Sequence, residues 1–264
     1  VSRWWGERLR IGLAPDRVDL AWLRLGPRRA VDRARSLRCA PKAGEPAWQA
    51  AIEALGEALP EFGVKQGAAA VVLSNHWVRY AVLPWQAELT GAAEVDQRAR
   101  LHFEQTYGSA AIGWTVRTRD TGFGAPHLAC AVDTALIDAL GATLAGHGLG
   151  LGSLQPLLIA AFNDQRKQLS GQGAFAVVEA GRVCLGLMQQ QRWHDITSRR
   201  TDADAAEVIE QELSTLDADL APTPLDVLLV GEDVAWTDPA RRPARLLGAA
   251  DGVGRPTLAL CGIG

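Results

Sequence analysis

A chain of 264 residues with 48% hydrophobic and 22% charged side chains has the composition of an ordinary folded protein, far from the disordered class. A formal charge of −3 gives no global reason to expect nucleic acid or an acidic polymer as partner. The length accommodates one large domain or two lobes of ordinary size, with room for sizeable cores.

The first element predicted is a hairpin over 9–25, in which Ile11-Gly12-Leu13-Ala14 and Val18-Asp19-Leu20 flank a tight turn at Pro15-Asp16. An Arg-rich stretch follows (Arg28, Arg29, Arg33, Arg35, Arg38), read as a solvated face, although it has the charge to meet anionic lipid. Trp48, Ile52, Leu55 and Leu59 recur at helical spacing up to Pro60. The run from Ala68 to Leu73 is apolar throughout, as a buried strand requires, and Trp77 to Leu83 forms another strand ending at Pro84.

Ala92, Val95, Ala99, Phe103 and Tyr107 mark one stripe of the next helix. That stripe is expected to face strands around Val82, Val116 and Ala129. Trp114 to Arg119 alternates as a half-wet strand, and His127 to Val132 reads as a buried one. Asp133 is placed to cap a helix carrying Leu136, Leu140 and Leu144, which Gly146 or Gly148 ends. Residues 139–163 hold no Asp, Glu, Lys or Arg, but Gly141, Gly146, Gly148, Gly150, Gly152 and Pro156 break the run into a helix end, a loop and a second short helix at 154–162. No transmembrane helix is expected.

Residues 166–173 are polar and contain glycine, the pattern of a linker. Ala176 to Leu185 then repeats the opening hairpin in register, down to the Arg-Val pair after the turn (Arg17-Val18, Arg182-Val183). A strand at 192–196, a helix bearing Ala206, Ile209, Leu213 and Leu216, and a buried strand at 225–230 follow. After a loop containing Pro239 and Pro243, a short strand at 258–260 closes the chain. Hairpins first and buried single strands later make an α/β chain with mixed sheets.

The repeated hairpin and the order of the middle elements resemble the actin-like ATPase fold (ribonuclease H-like), and within it the PilM family of type IV pilus assembly proteins and the cytoplasmic domain of the type II secretion L-protein. The segments that carry this are Leu83-Pro84 before the helix at 92–107, the strands at 114–117 and 127–132, and Gly148-Leu149 before 154–162. The resemblance implies a first lobe over 1–165 with an inserted subdomain at about 74–148, the linker at 166–173, and a second lobe over 174–264. It also implies a cytoplasmic scaffold at the inner face of the inner membrane. Its partners would be inner-membrane pilus or secretion proteins and an assembly ATPase, with the inserted subdomain and first lobe taking a partner's peptide.

Working ATPases of that fold carry Asp-x-Gly in each turn. Here the matching residues are Ala14-Pro15-Asp16 and Glu179-Ala180-Gly181, and the adenosine-side glycine pair survives only as Gly231-Glu232. Pro15 removes a backbone donor from the first turn, and Asp and Gly are ordinary turn residues. No catalytic, cofactor-binding or metal-ligating residue is therefore nominated. The alternative is an ATP-binding, Mg-dependent member of the fold using nucleotide as a conformational switch; a sugar-kinase-like enzyme is set aside for want of an acceptor-activating Asp in a suitable motif.

Other motifs read as structural. The run Gly146-His147-Gly148-Leu149-Gly150-Leu151-Gly152 is not G-x-G-x-x-G and follows a helix, so it is expected to be a loop. His76, His102, His127, His147 and His194 never fall at ligand spacing, and Cys39, Cys130, Cys184 and Cys261 form no C-x-x-C, which suits a reducing cytosol. The start lacks the apolar core of a signal peptide. Trp4-Trp5 among arginines suits a lipid headgroup interface or a partner groove, or else packing on the first sheet. Arg117 and Arg119 on the half-wet strand are the candidate wall for a partner's acidic tail.

Overall fold

The computed structural model describes residues 9–24, 30–87, 91–119, 122–169, 172–202, 204–215, 225–230, 244–247 and 257–261. The first elements are β1 (Leu9–Ala14), β2 (Arg17–Arg24), β3 (Ala30–Arg38), α1 (Gln49–Phe62) and β4 (Gly67–Leu73). Then come β5 (Val78–Leu83), α2 (Ala92–Tyr107), β6 (Trp114–Arg119), β7 (His127–Asp133), α3 (Thr134–Gly146), β8 (Leu149–Pro156) and α4 (Leu157–Gln165). The rest are β9 (Gly173–Glu179), β10 (Arg182–Gln189), β11 (Arg192–Arg200), α5 (Ala205–Ser214), β12 (Leu225–Leu229) and β13 (Ala244–Leu247). Short 3-10 segments occupy Gly108–Gly113 and Leu258–Leu260.

Two five-stranded sheets share one topology: β3-β2-β1-β4-β8 and β11-β10-β9-β12-β13. In each, the first three strands in chain order are antiparallel and the last two join in parallel. The repeated hairpin is thus the start of a repeated sheet, closed at equivalent positions by Ala14 opposite Arg17 and Glu179 opposite Arg182. β1 and β9 are each the central strand and buried along their whole length, as a strand covered on both faces must be. A third sheet has the order β5-β7-β6.

By contacts the chain divides into two compact units. The first takes 1–77, 135–164 and 256–264; the second takes 78–134 and 165–255. In the first unit α1 buries Ile52, Leu55, Leu59 and Phe62, and α3 buries Leu136, Leu140 and Leu144. Gly56 of α1 lies against the Thr143 methyl of α3, where an added Cβ would sit at 3.6 Å.

In the second unit, α5 packs Ala205, Ile209 and Leu213 on one face of β9, β10 and β12. The Asp204 carboxylate accepts the Ala206 N–H and starts that helix. On the third sheet, Val95, Ala99 and Phe103 of α2 are buried. Ala99 and Phe103 pack with Ala81, Leu83, Val116, Ala129 and Ala131. Val82 lies one residue out of that phase, on the other face, while Tyr107 is part-exposed and stacks toward Phe103 and Trp114.

Several elements differ from the sequence reading. The Arg-rich stretch is not merely a solvated run: Ala30–Arg38 is an edge strand whose described charges are largely engaged, Arg33 over the Trp22 and Phe62 rings and Arg35 with Glu61. Charge hid the strand because an edge strand need not look apolar. The glycine run after α3 is a turn followed by β8, not a loop, so the short helix begins at Leu157 rather than 154. Glycines at positions 150 and 152 remove the side chains that would have announced that strand. β13, in the Arg-rich loop region, was not anticipated, and the last predicted strand is the 3-10 segment at Leu258.

The insert expected at about 74–148 has its sheet within 78–133, and α3 from Ala135 onward belongs to the first unit. The described C-terminal residues also belong to the first unit. Two buried charges hold them there. Arg10 donates to the carbonyls of Ala259 and Cys261 at 3.4 and 2.6 Å, and Asp19 accepts the Leu258 N–H at 3.1 Å and the Ser36 hydroxyl at 2.6 Å.

Candidate functional site

The two equivalent turns are where the resemblance places phosphate chemistry. In the first, Cys39 N–H donates to the Asp16 carbonyl at 2.9 Å, and Arg38 reaches the Asp16 carboxylate at 3.1 Å. The pair is largely exposed, so its contribution to stability is small. Its chemical effect is larger: the one carboxylate of the turn already carries a cation, and Pro15 beside it has no N–H to offer a phosphate oxygen.

In the second turn Gly181 takes φ +70°, a conformation suited to glycine, and its carbonyl accepts the Thr201 N–H. Glu179 and Arg182, which close this turn, are 3% and 5% exposed. Arg182 donates to the Ser198 hydroxyl at 2.8 Å. Burial pushes the Arg182 guanidinium below its usual range, with Arg79 adding to the effect and Glu179 opposing it. In the first turn Arg38 sits on the Asp16 carboxylate and Pro15 offers no N–H, and in the second the Glu179 carboxylate is buried. Gly231-Glu232 and Trp4-Trp5 lie outside the described residues.

Among the described residues no group of His, Cys, Asp and Glu could hold a metal ion. His102 and His194 are exposed, His76 and His147 half-buried, and His127 is buried at the start of β7. No described helix is long and apolar enough to cross a membrane. The described cysteines are free. Burial, with the Asp16 charge nearby, pushes the half-buried Cys39 thiol up to about 11, and burial pushes Cys130 to about 12. Thiolate is the reactive form. Alkylation of Cys39 by iodoacetamide should therefore be slow at neutral pH and climb only above pH about 10; fast labelling at pH 7.5, mapped by peptide mass, would contradict this environment.

The proposed docking strand β6 pairs with β7 alone among the described residues, so its other edge is open. Its side chains alternate. Val116 is buried toward α2, the Thr118 hydroxyl donates to Asp96 at 2.5 Å, and Trp114 meets the Phe103 and Tyr107 rings. Arg117 and Arg119 are exposed on the opposite face. The sequence reading missed Arg10 and Asp19, whose signal was a charge set inside an apolar strand at an inward position, and it missed that Arg182 and Glu179 are buried.

No protein-family model and no curated protein matches the chain. Solved structures do. The PilM–PilN type IV pilus biogenesis complex matches with a TM-score of 0.62 and 17% identity, over 86% of this chain and 82% of that one. The cytoplasmic domain of EpsL, an inner membrane component of the type II secretion system of Vibrio cholerae, matches with a TM-score of 0.59 and 13% identity, over 90% and 87%. A Bacteroides thetaiotaomicron protein with an actin-like ATPase fold and unknown function matches at 0.55 and 12%, over 85% and 81%. The chain has the actin-like ATPase fold: α/β, with mixed sheets and a repeated five-stranded core.

Proposed function

We propose that this chain is a non-catalytic scaffold of a type IV pilus or type II secretion assembly platform, working at the inner face of the inner membrane. It binds the tail of a membrane partner and links it to the assembly ATPase. The observation that carries the reading is the state of the two turns. The carboxylate of Asp16 is engaged by Arg38 and flanked by Pro15, while Glu179 is buried beside Arg182. A fold of this kind with blocked phosphate turns acts through its surfaces. The likeness to EpsL and to the PilM–PilN complex supports platform assembly as the setting.

The second turn, which keeps a glycine at Gly181 with φ +70°, favours one alternative, an ATP-dependent conformational switch. Thermal melting separates the two. A ligand at 100 times its Kd adds about 2.7 kcal/mol, enough to move a domain of this size by a degree or more. The scaffold reading expects no such shift in millimolar Mg-ATP. A clear rise that disappears in Glu179→Ala would establish the switch.

A further inference from the structure

A cavity of about 590 Å³ opens in the three-stranded sheet unit, within the size range of ligand pockets. Its described lining comes from the loop after β5 (Trp85), the first turns of α2 (Val95, Asp96), the end of β6 (Thr118), the β6–β7 loop (Phe123) and the start of β7 (His127). The Trp85 and Phe123 rings meet edge to face with centroids 4.7 Å apart. Phe123 is 89% exposed, an arrangement with little to offer the isolated fold.

The polar groups of this cavity face one kind of ligand. Asp96 accepts the Thr118 hydroxyl through Oδ1, and among the described residues no Lys or Arg pairs with its carboxylate. The nearby Arg98 is turned instead onto the Pro84 carbonyl at 2.6 Å. His127 is 7% exposed, and its Nδ1 is buried without a hydrogen-bond partner. A carboxylate that no described Lys or Arg pairs with, a buried ring nitrogen without a partner and two aromatic rings together suit a positively charged donor. Cations bind over aromatic faces, and charge-assisted hydrogen bonds to carboxylates are the stronger kind.

We propose that this cavity takes a lysine or arginine side chain from the extended tail of a membrane partner, a reading that rests on the platform function. The open edge of β6 supplies the track. A strand added there would send alternate side chains to the two faces of the sheet. Those on the Thr118 face reach the cavity, and those on the other face meet Arg117 and Arg119. The tail recognised is therefore basic on one face and acidic on the other. Cytoplasmic segments next to transmembrane helices are rich in Lys and Arg, so the cavity fits a position close to the membrane.

The test uses the full chain and fluorescein-labelled nonapeptides, identical except for Arg, Leu or Glu at the central position, read by fluorescence anisotropy. The Arg peptide should bind most tightly. Asp96→Asn, which keeps the Thr118 hydrogen bond, should weaken it about tenfold or more. Phe123→Ala should weaken it while leaving the melting temperature unchanged, because Phe123 is almost wholly exposed. Equal binding of the Glu peptide, or unchanged Arg-peptide affinity in both folded variants, overturns the proposal. Capture of a native membrane partner's tail by Asp96→Asn at wild-type strength would remove the cavity and leave the scaffold standing. Arg-peptide binding at the cavity with no membrane partner captured would do the reverse.

Discussion

Replacing Phe103 with alanine should destabilise the unit that holds it by about 3–5 kcal/mol. The ring is 1% exposed and packs between α2 and the sheet. Its neighbours decide where in that range the cost falls. Ala81, Ala99, Ala111, Ala129 and Ala131 are short and fixed by backbone, so they cannot move in to fill the space. The larger rings beside it, Tyr107 at 6.3 Å and Trp114 at 6.4 Å, both lie under the Arg79 guanidinium, which limits how far they can shift. The upper half of the range is expected. Urea denaturation followed by far-ultraviolet circular dichroism measures it, and near wild-type stability would show that α2 does not present this face.

Gly12→Ala should cost about 3 kcal/mol, through a different mechanism. A Cβ at Gly12 would lie 2.4 Å from Leu258 Cβ and 2.6 Å from the Ala259 nitrogen. A strand backbone on one side and a turn backbone on the other leave no flexible side-chain tip to swing away. The C-terminal turn must lift, breaking the hydrogen bonds from Arg10 to Ala259 and Cys261 and from Leu258 to Asp19. Both charges then lose partners while buried, which is the costly half of the change. Burial already raises the Asp19 pKa above its ordinary value, so the folded state holds its proton more tightly than the unfolded chain. Through that interval the Asp19 contribution to stability falls as pH rises, the opposite of a salt-bridged carboxylate. Thiol labelling reports the lift directly. Cys261 is 2% exposed in the folded chain, and it should react with a thiol reagent in Gly12→Ala at a concentration that leaves the wild type unlabelled. Protection equal to wild type would mean the turn has not moved.

How legible the fold was depended on whether apolar pattern and burial coincided. The opening hairpin, the buried strands β4, β7 and β12, and α2 all follow from their residues, and the repeat of Arg17-Val18 at Arg182-Val183 carries through to equivalent closing pairs. β3 escaped because an edge strand can be covered in arginine and still pair. β8 escaped because its glycines leave a parallel strand without the usual branched side chains. The phase of α2 was readable from Val95, Ala99 and Phe103, and the strand around Val82 faces it through the neighbouring Ala81 and Leu83.

The departure of both turns from Asp-x-Gly was visible in Ala14-Pro15-Asp16 and Glu179 themselves. Arg38 on Asp16 and the cavity around Asp96 were not, because they join residues far apart in sequence. Nothing in the spacing of Trp85, Asp96, Thr118, Phe123 and His127 marks them as neighbours.

The most direct measurement is capture of a partner by the full chain, immobilised and exposed to the cytoplasmic tails of inner-membrane pilus or secretion components encoded by neighbouring genes. The wild type should retain at least one of these tails. That tail should be lost in a folded Arg117→Glu/Arg119→Glu double variant, whose exposed substitutions leave the core of the sheet untouched. Retention by the double variant would clear this face of β6 of any role. If the wild type retains none of the tails while Mg-ATP raises its melting temperature, the scaffold reading is wrong and the nucleotide switch takes its place.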